Sequence, residues 1–132
     1  MSNIQIAQEI YQAFGRGEVP TILSHLSETV DWEYDAGETD TPWLKHRTGH
    51  EGAAAFFASL AEMEIHSFAV KTLLETGNVI VALVDIEFTV RATGRRVAED
   101  DEAHIWHFDA KGKVARFRHR VHTQRHALAW NG

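Results

Sequence analysis

The apolar residues of this 132-residue chain change period once, near Met63, and that change limits the fold more than any other feature. Ahead of it they recur at helical spacing. Ala7, Ile10, Tyr11 and Phe14 form one stripe behind Ser2-Asn3-Ile4-Gln5, which has the form of a capping box, and Gly15 and Gly17 end the helix. Pro20 opens a second short helix with the stripe Ile22, Leu23, Leu26 and Val30. Asp31 to Asp35 alternates as a first strand, and Ala36 to Arg47 is an aperiodic loop. Thr48-Gly49-His50-Glu51 forms a second capping box before a helix burying Ala53, Phe56, Phe57, Leu60 and Ala61. Beyond Met63 come long strands divided by turn residues, about Ile65 to Glu75, Val79 to Ala92, Glu102 to Phe108 and Lys113 to Thr123. Helices first and an antiparallel meander afterwards predict an α+β fold, three helices covering one face of a strongly bent, mostly antiparallel sheet. Residues 1–132 read as one domain, with Gln124 to Trp130 as a short helix or an edge cover.

Composition removes several classes of function. The chain has no cysteine, so thiol chemistry, disulfides and thiolate metal sites are out of reach. A formal charge of −6 argues against a nucleic-acid partner. The run Arg116, Arg118, Arg120, Arg125 is the one basic stretch, and Glu99, Asp100, Asp101 and Glu102 on the neighbouring strand are expected to meet it in cross-strand ion pairs. Met1 to Ala13 lacks the pattern of an export signal, and no apolar run approaches the roughly 20 residues that span a bilayer, so a cytoplasmic protein with no membrane partner is expected.

Strand alternation locates the residues able to do chemistry. Glu102, His104 and Trp106 share one face, with His107 on the other, while Phe117, His119 and Val121 share a face opposite Arg116, Arg118 and Arg120. Histidines set among apolar residues on two adjoining strands suggest a lined cavity. A metal site is not expected, because the His104/His107 and His119/His122 spacings put each pair on opposite faces. Trp32, Trp43, Phe57 and Trp106 either line that cavity as substrate-binding groups or are plain core. The Tyr11 and Ser59 hydroxyls have no base near them in sequence, and His46 reads as a solvated loop histidine or a cap on the cavity mouth. On the strand from Val79, alternation leaves two readings open. Asp85 and Glu87 face solvent over a core of Val84, Ile86 and Phe88, or they face the cavity.

Particular words then carry a resemblance. Ile10-Tyr11-Gln12-Ala13-Phe14-Gly15-Arg16-Gly17-Glu18, Leu26-Ser27-Glu28-Thr29-Val30-Asp31-Trp32, Gly49-His50-Glu51-Gly52, Thr93-Gly94-Arg95 and Gly112-Lys113-Val114 lie along almost the whole chain. In this order they resemble the SnoaL-like polyketide cyclases and ketosteroid isomerase-related proteins of the nuclear transport factor 2-like superfamily. The resemblance implies a cone-shaped barrel with a pocket between the bent sheet and the helices. Against the steroid isomerases, the oxyanion tyrosine falls on Ile10, the base on Tyr34 and the acid on His104. Against the SnoaL-type cyclases, the penultimate-strand histidine is His104 and the last-strand aspartate falls on His119. Against the limonene epoxide hydrolases, an aspartate falls on Asp85, its arginine on Leu83, and the last-strand aspartate again on His119.

The resemblance therefore implies His119 as general base, Asp85 as its orienting partner and His104 or Tyr34 as the donor to developing negative charge, with Glu87 beside the substrate. The implied function is cofactor-independent acid/base chemistry on a small, largely apolar molecule: isomerization, cyclization, dehydration or water addition. The alternative is a non-catalytic module for a small hydrophobic ligand. With Asp85 inward, Ile80, Ala82, Val84, Ile86, Phe88 and Val90 would form an outer apolar face, which predicts a homodimer.

Overall fold

The computed structural model describes residues 1–132 as a mixed six-stranded sheet wrapped by four helices. Helix α1 (Asn3–Gly15) starts at the capping box, in which Ser2 and Gln5 cap each other's backbone N–H, and buries Ile6, Ala7, Ile10 and Ala13. Helix α2 (Val19–Ser24) stops short of Leu26, because strand β1 (Leu26–Trp32) begins there and takes Leu26, Val30 and Trp32 as its buried face. The expected four-residue stripe is thus split between a helix and a strand. After β2 (Arg47–Thr48), the chain enters helix α3 (Gly49–Ser59) by a left-handed step at Gly49 (φ 71°), and Thr48 makes no side-chain cap, contrary to the capping box expected there.

Strands β3 (Met63–Thr76), β4 (Val79–Val90), β5 (Arg96–Phe108) and β6 (Val114–Arg120) form the meander, and helix α4 (Thr123–Asn131) closes the chain. The sheet order is β2-β1-β6-β5-β4-β3, antiparallel throughout except for β1 and β6. That parallel pair sets Trp32 beside Phe117, so residues from the two ends of the sequence share one wall. The sheet is open and curved, and the helices fill its concave side.

Strand β4 decides between the two readings of its alternation. Ile80, Ala82, Val84, Ile86, Phe88 and Val90 point inward and are buried, and Asp85 and Glu87 lie on the outer face. Asp85 pairs with Lys71 at 3.1 Å and Glu87 with Arg96 at 2.5 Å. Six apolar side chains gain about 1.5–3 kcal/mol each for the larger ones on burial, so the opposite register, with two carboxylates inside, is far less stable. The cross-strand ion pairs expected for the arginines are also absent. Glu99 and Glu102 point inward, while Arg118 donates to the Tyr34 carbonyl and Arg116 lies 4.4 Å above the Tyr34 ring.

Candidate functional site

A cavity of about 70 Å³ lies between the concave side of the sheet and helices α1, α2 and α3. Of its 20 lining residues 16 are hydrophobic, so its polar chemistry falls to the other four, Glu102, His104, His119 and His126, and to the hydroxyl of Tyr11. Tyr11, Phe14, Phe57, Phe68, Trp106 and Trp32 supply most of the aromatic wall.

Left-handed backbone at Glu33 and at Asp101 turns carboxylates toward the interior. Trp32 ends β1 pointing inward, and strict alternation would turn Glu33 outward. Instead Glu33 adopts φ 57°, its N–H donates to the Phe117 carbonyl at 2.7 Å, and its side chain is only 2% exposed. On β5, Asp101 (φ 59°) sits in a bulge opposite Asp85, which lets Glu99 and Glu102 both face inward although they are three residues apart.

Glu33 Oε1 accepts both the backbone N–H of His119, at 3.0 Å, and its ring Nδ1–H. Burial pulls the His119 pKa down, but the attraction of Glu33, with Glu102 and Glu99 behind it, more than offsets this and raises it above the usual imidazole value. With Nδ1–H committed to Glu33, the titrating atom is Nε2, which makes no hydrogen bond within the chain. His119 also lines a shallower depression formed by Ala36 to Thr39, Thr123 and Gln124, so one imidazole borders both cavity and surface.

His104 is bound differently. Its Nε2–H donates to Glu102 Oε1 at 2.8 Å, and its Nδ1 lies 2.6 Å from the Tyr11 hydroxyl. The Trp106 indole, which can only donate, gives its N–H to that same hydroxyl at 3.0 Å. With Nε2 carrying the proton given to Glu102 and burial keeping the ring neutral, His104 Nδ1 accepts the Tyr11 O–H. Burial likewise lowers the His104 pKa and raises that of Tyr11, keeping both uncharged. For Glu102, burial works against ionisation, yet the His104 hydrogen bond and the charge of His119 outweigh it and lower the pKa. Its Oε1 is thus occupied, while Oε2 is buried with no partner.

The same device recurs at His126. Trp43 donates its indole N–H to His126 Nδ1 at 3.0 Å, so Nε2 carries the proton and donates to Glu99 Oε1 at 2.7 Å. Glu99, Glu102 and His126 present ligand atoms within 4.8 Å of one another, a spacing that could suit a cation. His126 offers no lone pair to it, since one nitrogen accepts from Trp43 and the other is protonated.

His104, His119, Trp32, Trp43, Phe57 and Trp106 all line the cavity, where the sequence put them. Asp85, Glu87 and Tyr34 do not. Asp85 and Glu87 are on the outer face, and the Tyr34 hydroxyl bonds His107 at 2.9 Å on that same outer side, because the turn at Glu33 reverses the alternation. His46 is exposed and pairs with Asp31. The residues that sequence reasoning missed are Tyr11, Glu33, Glu99, Glu102 and His126. A signal existed for Tyr11, which belongs to the buried stripe of α1, since a tyrosine buried there must find a partner for its hydroxyl.

Comparison with known proteins agrees with this architecture. Residues 7–117 match the family model of the SnoaL-like domain. No curated protein matches the chain. Among solved structures, an NTF2-like protein of unknown function from Burkholderia pseudomallei superposes with a TM-score of 0.80 at 26% identity, over 100% of both chains. A Δ5-3-ketosteroid isomerase from Mycobacterium sp. gives 0.73 at 15% identity, over 95% of this chain and 97% of that one. A Mycobacterium tuberculosis protein in complex with estradiol-17β-hemisuccinate gives 0.75 at 14% identity, over 95% and 98%. With a mixed, open, curved sheet, helices on its concave side and a family match over most of its length, the chain belongs to the SnoaL-like domain family and has the NTF2-like fold.

Proposed function

We propose that this protein moves a proton on a small, largely apolar molecule without a cofactor, His119 being the group that gives and takes it. The observation that carries this reading is the Glu33–His119 pair. Glu33 holds Nδ1–H from behind, which leaves Nε2 as the reactive atom at the edge of an apolar cavity. This is the role the family resemblance implied for Asp85, transferred to a different carboxylate. His104 and Tyr11 spend their hydrogens on Glu102 and on each other, so they position Glu102 rather than donate to a reacting oxygen. Loss of a proton next to a carbonyl is the step common to isomerization, aldol-type cyclization and dehydration. In that step His119 Nε2 takes the proton or, once protonated, stabilises the enolate oxygen.

Deuterium incorporation from D2O into a panel of cyclic ketones, 2-tetralone among them, tests the reading. Wild type is expected to exceed the buffer rate for at least one ketone, and His119→Ala to lose about 10² or more of that excess. No acceleration across the panel favours the second reading, a binding module without turnover. The relatives whose structures hold a steroid derivative or polyporic acid support a small apolar ligand under either reading.

A homodimer remains part of the proposal, on a different patch from the one expected. The residues first assigned to it are interior, but the outer face of β4 and β5 carries half-buried Val81, Leu83, Ala103 and Ile105 side by side. Light scattering should give twice the 14.9 kDa chain mass, and Ile105→Asp should halve it.

A further inference from the structure

We infer that the cavity selects an uncharged ligand whose hydroxyl donates to Glu102 Oε2. This rests on the reading of the cavity as a ligand site and adds the chemistry of what enters it. Glu102 is 4% exposed and ionised, with His104 on Oε1 and nothing on Oε2. A buried carboxylate oxygen without a donor is a strong unmet demand. No side chain of the protein donates to it. His104 has given its one proton to Oε1, and its other nitrogen is capped by Tyr11, itself held by Trp106. His126 is held on Glu99 by the Trp43 bond to its far side, and the Nδ1–H of His119 is held by Glu33. A ligand hydroxyl supplies the missing donor.

The charge of the surroundings narrows the class. Glu33 is paired with His119, but His104 and His126 are both fixed as neutral, so the carboxylates of Glu102 and Glu99, with ligand atoms within 4.8 Å of each other, are bonded to no charged histidine. A carboxylate or phosphate ligand would meet like charge in an apolar, weakly screened cavity. An ammonium ligand would enter beside His119, whose ring centre lies 5.9 Å from that of His104 and whose pKa Glu33 holds above the usual imidazole value. A hydroxyl satisfies Oε2 at no cost in charge. Trp32, which also lines the cavity, has a buried indole N–H without a partner, so a ligand oxygen that accepts a hydrogen bond completes the fit.

Three ring compounds of nearly equal shape separate these cases: p-cresol, p-xylene and p-toluate. Their binding is followed by calorimetry and by the indole N–H resonances, of which Trp32 should move and Trp130 should not. In wild type, p-cresol is expected to bind about tenfold or more tighter than p-xylene, the gain of one hydrogen bond to a charged group, and p-toluate more weakly than both. Glu102→Gln should erase the preference for p-cresol and restore p-toluate, since it removes the charge and puts a donor where an acceptor stood. The inference is overturned if p-toluate binds wild type as well as p-cresol, if p-cresol gains nothing over p-xylene, or if no ring compound binds. It is equally overturned if the p-cresol preference survives in Glu102→Gln. The wild-type comparison decides the matter even if that variant does not fold. Binding selectivity needs no turnover, so a failed deuterium assay leaves this result standing, and an active enzyme can still fail it.

Discussion

Asp85 Oδ1 accepts the backbone N–H of Asp101 at 3.0 Å, across the one point where β4 and β5 lose register. Val84 pairs with Glu102 and Ile86 with Glu99, so Asp85 stands opposite two residues, Asp100 and Asp101, and its carboxylate satisfies the N–H that the extra residue leaves free. Lys71 brackets the bulge at 3.1 Å from Asp85 and 2.5 Å from Asp101. The Asp101 hydrogen bond outweighs the cost of desolvation and, with Lys71, lowers the Asp85 pKa, so the clasp is ionised at neutral pH. Asp85 thus serves the site from outside, by helping to hold the segment that turns Glu102 and His104 inward.

Replacing Asp85 by Ala should therefore move the NMR signals of the buried His104 ring, across the sheet from the substitution, and lower the urea midpoint. Asp85→Asn, which keeps an acceptor oxygen, should restore much of the His104 position. Unchanged His104 signals in Asp85→Ala would show that the bulge holds its shape without the clasp.

The left-handed backbone at Asp101 makes a comparison independent of charge. Asp101→Gly and Asp101→Ala lose the same contact with Lys71, but only Ala bears the steric penalty of φ 59°, so the Ala variant should be less stable by about 1 kcal/mol in urea unfolding.

The two central histidines should titrate apart. His119 is expected to titrate above the ordinary 6.5 and His104 below it, as read from ring proton shifts. For His119, a folded pKa raised above the unfolded value means a stabilisation fully present below about 6.5 and lost as pH rises through the higher folded value. The depressed His104 works in the opposite sense, stabilising above 6.5 and losing that contribution as pH falls toward its folded value. His119→Gln should accordingly be most destabilising, relative to wild type, on the acid side of neutrality.

Glu33→Gln removes the charge behind His119 but keeps an oxygen that can accept its N–H. The His119 pKa should fall, since Glu33 provides the largest of the attractions raising it, and stability should drop by about 1–3 kcal/mol. Any ketone exchange catalysed by the wild type should move its pH profile to lower pH together with the NMR titration.

Tyr11→Phe deletes one oxygen that serves two partners. The Trp106 N–H and His104 Nδ1 are both left buried and unpaired, which should cost about 2–5 kcal/mol in thermal or urea unfolding. His104→Phe should cost less when added to Tyr11→Phe than when made alone, because the network is then already broken.

Most of the fold was legible because it follows from periodicity. The α1 stripe, the turn residues and the faces of β5 and β6 all obey simple alternation, and His104 and His119 were placed by it. Glu102 shared that face with His104, but Glu33 and Glu99 were not placed, for a local reason. Glu33 and Asp101 adopt left-handed backbone without being glycine, so neither announces itself, and each shifts the inward parity of its strand. The inward placement of Asp85 came from family register, against the alternation of β4, and burial of six apolar side chains prevailed. The parallel pairing of β1 with β6 leaves no local trace, since it joins segments some ninety residues apart.

That pairing also dictates when the site comes into being. Glu33 and His119 are 86 residues apart in sequence, Tyr11 and His104 are 93, and Tyr11 and Trp106 are 95. Every polar contact of the cavity wall named here except that between Glu102 and His104 closes a long loop, and such contacts form only after most of the chain has been fixed in place. As the chain leaves the ribosome, Tyr11 on α1 and Glu33 just after β1 emerge long before His104 and His119, the histidines they meet. A partly made or partly unfolded copy thus has a hydrophobic sheet without these buried polar contacts, which are completed only with the docking of the final strand.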